Sequence, residues 1–120
     1  MNEFDLTIIT ISLNADQSLL NTFNSIDPLL SRGVNWIVVL TNKPHNIDYL
    51  KKAHLITGQD KNLYNALNIG LENLKTEYFM FIHSGDQLIN FNGFVNSYNL
   101  IKDNNLDLVL GGSLIGNRFH

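Results

Sequence analysis

The chain has 120 residues, no cysteine and a formal net charge of −3, with 44% hydrophobic and 16% charged residues. That length suits one domain with a single core, residues 1–120. The acidic balance argues against nucleic acid as the main partner, because backbone-tracking proteins cluster Lys and Arg. Without cysteine there are no disulfides or thiolate metal sites, which fits a reducing, cytoplasmic setting. The start, Met1-Asn2-Glu3-Phe4-Asp5, lacks the basic opening of a signal peptide. No apolar run approaches the roughly 20 residues needed to span a bilayer.

Leu6 to Leu13 is β-branched and apolar almost throughout, the pattern of a strand buried on both faces of a parallel sheet. Asn14 and Asp16 offer N-cap oxygens to a helix carrying Leu19, Leu20, Phe23, Ile26 and Leu30 on one face. Trp36 to Leu40 reads as the second strand, ending in the turn residues Thr41-Asn42-Lys43-Pro44. Ile47 to Lys52 reads as a short helix and His54-Leu55-Ile56 as a short third strand.

Leu63, Ala66, Leu67, Gly70, Leu71 and Leu74 then follow helical spacing, so Leu63, Leu67, Leu71 and Leu74 are expected to face the sheet. Gly70 lies inside that face at a cost of about 1 kcal/mol relative to alanine, which a close helix-to-sheet contact would explain. Tyr78 to Ile82 is the fourth strand, followed by the polar turn His83-Ser84-Gly85-Asp86. A helix with Phe91, Phe94, Val95, Tyr98 and Ile101 on one side comes next, then a last strand, Leu106 to Leu110, leading into Gly111-Gly112.

Strands alternating with helices predict a three-layer α/β/α sandwich with a mostly parallel sheet. Right-handed crossovers gather Ser12 to Asn14, Thr41-Asn42, His83 to Asp86 and the loop holding Asp60 on one rim. An acid just beyond a buried strand is where such folds place metal and phosphate chemistry. On residues alone, Asp86 reads first as a solvated turn acid capping the next helix, and Asp60 as an N-cap for the helix near Leu63.

Two segments carry a resemblance. Asp60-Lys61-Asn62-Leu63-Tyr64-Asn65-Ala66-Leu67-Asn68-Ile69-Gly70-Leu71 and Thr76-Glu77-Tyr78-Phe79-Met80-Phe81-Ile82-His83-Ser84-Gly85-Asp86 align without gaps to a "D-K-G-I-Y-D-A-M-N-K-G-I" helix and a "G-E-Y-I-x-F-L-N-S-G-D" strand and turn. Both resemble family 2 glycosyltransferases of the GT-A (nucleotide-diphospho-sugar transferase) fold. The resemblance implies transfer of a sugar from a nucleotide donor, UDP-linked, to a polysaccharide or lipid-linked acceptor. It implies a divalent cation, Mn²⁺ or Mg²⁺, on Asp86, and nucleotide-sugar contacts at Thr10, Ser12, Asp60 and Ser84. It also implies work at the cytoplasmic membrane face through peripheral contact.

The resemblance runs from Leu6 to about Leu114, where Leu108 to Gly112 is similar to the family's "D-I-V-Y-G-D" strand. That extent corresponds to the family's donor-binding half, without the acceptor-binding half and its catalytic base. An exposed apolar patch that recruits a second copy is therefore expected. Two positions depart from the pattern. His83 stands where many members have Asp or Asn, and the second strand ends Val39-Leu40-Thr41-Asn42 where members carry an acid that contacts the base. Base recognition there falls to the neutral groups of Thr41 or Asn42, or is weakened. The alternative function is a non-catalytic nucleotide- or protein-binding module on the same fold. The G-x-G-x-x-G of dinucleotide-binding proteins and the P-loop are both absent.

Overall fold

The computed structural model describes residues 4–58, 62–88 and 91–103. Four strands, β1 (Leu6–Ser12), β2 (Asn35–Leu40), β3 (His54–Thr57) and β4 (Tyr78–Phe81), form one sheet in the order β3-β2-β1-β4. Every pairing is parallel, with Ile9 opposite Ile37 on one side and Phe81 on the other. Three helices accompany it: α1 (Gln17–Leu30), α2 (Leu63–Glu72) and α3 (Phe91–Asp103). A 3-10 turn, Asp48–Lys52, lies between β2 and β3. No helix among the described residues is long and apolar enough to cross a membrane. The proposed strand Leu106 to Leu110, with Gly111-Gly112, lies outside the described residues.

Strand alternation divides the core into two. Leu6, Ile8, Val38, Leu40, Tyr78 and Met80 pack with α1 and α3, whose Leu19, Phe23, Ile26, Phe94 and Tyr98 are buried. Ile9, Ile37, Val39 and Ile56 face the other way, onto α2. The chain steps outward from β1 to β2 to β3 and then returns past β1 to β4. Right-handed crossovers require that return to run over the opposite face, which is where α2 lies. Among the described residues the result is an α/β fold with an all-parallel four-stranded sheet and helices on both faces, compatible with a three-layer sandwich.

The helix starts follow capping chemistry. The Asp16 carboxylate accepts from Leu19 N–H at 3.2 Å, and the Asn62 amide oxygen accepts from Asn65 N–H at 2.8 Å. The cap of α2 is thus Asn62 rather than Asp60.

One expectation is corrected. The buried residues of α2 are Ala66 and Gly70, with Ile69 and Leu74 packed beside them. Leu63 and Leu71 are 56% and 37% exposed, and Leu67 is half-buried. A Cβ on Gly70 would come within 2.7 Å of Ile9 Cγ2. The helix therefore approaches the sheet on its smallest residues, and the larger leucines turn to the flank. The close contact predicted at Gly70 is present, but the helix is rotated about its axis from the predicted orientation.

Candidate functional site

Strand order reverses between β1 and β4, because β2 and β3 extend to one side of β1 and β4 lies on the other. In open parallel sheets the ligand crevice opens beyond the carboxyl ends at such a reversal. Backbone pairing carries the two strands past their formal ends. Ile82 N–H donates to Ile9 O at 3.0 Å and Ser84 N–H to Ile11 O at 3.4 Å. Ser84 is thereby set beside the end of β1, next to Ser12.

The turn that follows is built on a glycine. Asp86 N–H closes onto His83 O at 2.9 Å, and Gly85 has φ +96°, a conformation that L side chains rarely adopt. α1 holds this turn from below. The Thr22 hydroxyl, fully buried, donates to Asp86 O at 2.7 Å and accepts from Gly85 N–H at 2.9 Å. Gly85 N–H also reaches Ser18 O at 3.2 Å, and Ser25 Oγ accepts from Leu88 N–H at 3.0 Å. Thr22 and Ser25 went unnoticed as site residues in the sequence. The signal was there, since Thr22 is a hydroxyl on the apolar face between Leu19 and Ile26.

At the top of this scaffold the Ser84 hydroxyl is buried with no hydrogen-bond partner among the described residues, and Oδ2 of Asp86 is shielded from solvent. A buried hydroxyl without a partner is uncommon and calls for an explanation, of which a bound polar ligand is one. His83 is exposed.

The remaining candidates divide. Ser12 is 7% exposed and its hydroxyl donates to Asn14 O at 2.7 Å, so it shapes the loop after β1. Thr10 lies beneath the rim: it is 0% exposed and its hydroxyl accepts from Trp36 Nε1 at 3.0 Å. A ligand on the rim meets no Thr10 side-chain atom. Asp60 lies outside the described residues. At the end of β2, Thr41 N–H bonds Ser12 O and Asn42 N–H bonds Leu13 O, while the Asn42 side-chain amide donates to Asn14 Oδ1 at 2.8 Å. The rim of β1 and β2 is therefore a neutral amide and hydroxyl surface.

For a metal, the described residues contain no group of three His, Asp or Glu side chains that would cage an ion. A cation at this turn would have one carboxylate of the turn to hold it, that of Asp86, and would need substrate phosphates and water to complete its shell.

Neither a family model, nor a curated protein, nor a solved structure matches this chain.

Proposed function

We propose that this chain is the donor-binding part of a family 2 glycosyltransferase of GT-A type, acting on a nucleotide-diphosphate sugar. The observation that carries the reading is the Ser84-Gly85-Asp86 turn. It sits at the strand-order reversal, is fixed to α1 through Thr22, and ends in an orphaned hydroxyl and a shielded carboxylate.

Each residue has a definite task in this reading. Asp86 would hold a Mn²⁺ or Mg²⁺ ion, which when bound neutralises the diphosphate leaving group as a Lewis acid. Ser84 Oγ donates to a phosphate oxygen. Gly85 keeps the turn free of a side chain where the phosphates approach. Thr22 holds the turn in register, so that both groups are set before the substrate arrives. Ser12, Asn14 and Asn42 form the neutral edge against the nucleoside, and the resemblance assigns Asp60 to the base or ribose. The acceptor is a glycan or a lipid-linked sugar, and the setting is the cytoplasmic membrane face through peripheral contact. None of the acids described is assigned as the catalytic base.

The exposed flank Leu63 and Leu71, with half-buried Phe79 and Phe81 on the same face of the sheet, supports pairing with a second copy. Sedimentation at rising concentration tests this, and a monomer throughout would refute it. The alternative, a non-catalytic nucleotide- or protein-binding module, draws on the acid-free end of β2, where the Asn42 amide already engages Asn14. The deciding experiment is titration with intact nucleotide sugars and Mn²⁺ beside the free nucleoside diphosphates. Mn²⁺-dependent binding to which the sugar contributes, lost in Asp86→Asn, supports the donor-binding part of the enzyme; binding to which the sugar contributes nothing supports the module.

A further inference from the structure

β3 is an outer strand of the sheet, paired with β2 alone among the described residues. In a parallel ladder the two main-chain groups of a residue point to one side, and the side alternates along the strand. Gly58 N–H donates to Leu40 O at 3.0 Å, so His54, Ile56 and Gly58 turn their groups toward β2. Leu55 and Thr57 therefore turn theirs outward, where no described residue bonds them. His54–Thr57 carries none of the lysines or prolines that commonly guard such an edge.

A hollow of about 370 Å³ runs beside this edge, with Leu55 and Thr57 on one side and the segment 43–51 on the other. Leu55 packs on the larger core together with Ile47 and Leu50, so the hollow lies on the α1 face of the sheet and its floor is apolar. Lys43, His45 and Lys51 line its walls, and no Asp or Glu among the described residues does. Lys43 and His45 follow β2 and Lys51 precedes β3, so the hollow is basic toward both ends. Lys51 meets Asp48 at 3.4 Å, but an exposed pair of this kind holds it only weakly.

We propose that the open edge of β3 and this hollow together receive an extended segment of a partner protein, aliphatic in its middle and acidic at its ends. The segment adds to the sheet as a further strand, its main chain bonding the outward groups of Leu55 and Thr57. Its side chains alternate between the two faces, so every second one enters the hollow over Ile47 and Leu50. The flanking acids meet Lys43 and His45 at one end and Lys51 at the other. Main-chain bonds supply affinity, and the hollow with its charges supplies selectivity. A second copy pairing β3 with β3 would set two groups of Lys43, His45 and Lys51 side by side, so charge favours an acidic partner. This surface is separate from the Ser84–Asp86 turn and does not depend on the donor reading.

The test is fluorescence anisotropy of a labelled peptide, alternating valine and threonine with glutamates at both ends, titrated with the whole chain at low salt. It is expected to bind about tenfold or more tighter than the same peptide ended by lysines. N-methylation of every second amide should abolish binding in one phase and spare it in the other, since only one set of amides faces β3. Thr57→Pro removes an outward N–H at an edge, where proline is tolerated, and should weaken binding about tenfold with an unchanged circular dichroism spectrum. Lys43 is exposed, and Lys43→Glu should reduce the preference for glutamate ends. Absence of binding, equal binding of the lysine peptide, or equal loss in both N-methylation phases would overturn the proposal, and the last needs no variant to fold. Self-association of the chain that Thr57→Pro abolishes would place a second copy on this edge and overturn the partner assignment.

Discussion

Replacing Thr22 by valine removes one hydroxyl from the interior and keeps the shape of the side chain, so its effect isolates the hold of α1 on the Ser84–Asp86 turn. The two shortest bonds lost are Thr22 Oγ1 to Asp86 O at 2.7 Å and Gly85 N–H to Thr22 Oγ1 at 2.9 Å, and the longer contacts of the hydroxyl with Ser18 O at 3.3 Å and His83 O at 3.4 Å go with them. Gly85 N–H keeps Ser18 O at 3.2 Å, so the main penalty is a carbonyl deprived of its donor. An unmade buried hydrogen bond costs about 1–3 kcal/mol, and the surviving Gly85 bond places Thr22→Val near 1–2 kcal/mol. For a chain of this size that lowers Tm by about 4–10 °C. The turn loosens with it, and Mn²⁺-dependent UDP affinity should fall about tenfold or more. Thr22→Ser retains the hydroxyl and should retain binding. Calorimetric melting, amide exchange at Gly85 and UDP titration measure the three effects. If Thr22→Val melts with the parent protein and Gly85 exchanges no faster, the hydroxyl does not hold the turn.

Gly70→Ala places a methyl group 2.7 Å from Ile9 Cγ2, and overpacking of this kind costs about 1–3 kcal/mol, against about 1 kcal/mol gained in helix propensity. Urea unfolding should therefore show a net loss of up to about 2 kcal/mol, turning into a gain in an Ile9→Ala background; a gain in the parent background would refute the close approach. Tyr49, stacked on Phe23 at 5.0 Å, has its pKa raised above 10.0, first by burial and then by the charge of Asp16. The fold thus favours the neutral phenol, and this contribution to stability is complete below pH 10 and is lost as pH rises through the raised pKa. In an absorbance titration Tyr49→Phe should remove a component that ionises above pH 10 and flatten the alkaline loss of stability; an unchanged profile would contradict the assignment.

The parallel sheet was legible because β1 and β2 are apolar runs with no alternation, which only burial on both faces accounts for. The turn at Ser84 to Asp86 was legible because the apolar run of β4 gives way to polar residues and to Gly85, a residue suited to positive φ. The rotation of α2 was not. Its apolar residues cover a wide arc, and periodicity does not say that Ala66 and Gly70 will face the sheet while Leu63 is left outside. That choice was made by the distance of closest approach, a tertiary quantity. The surroundings of the Thr10 side chain were not legible for a related reason. Its strand position was read correctly, but the partner of its hydroxyl is the indole of Trp36, 26 residues later. Thr22 illustrates the reverse, a polar residue on an apolar stripe whose partner, the turn at 85–86, is adjacent only in the folded chain.

Titration of the chain with UDP, with and without Mn²⁺, beside the Asp86→Asn variant tests the central claim most directly. The asparagine is nearly isosteric and sits in a turn held by Thr22 and backbone bonds, so the variant should fold as the parent does. The account predicts UDP binding strengthened by Mn²⁺ in the parent chain and unaffected by Mn²⁺ in Asp86→Asn. Equal Mn²⁺ enhancement in both proteins would contradict it.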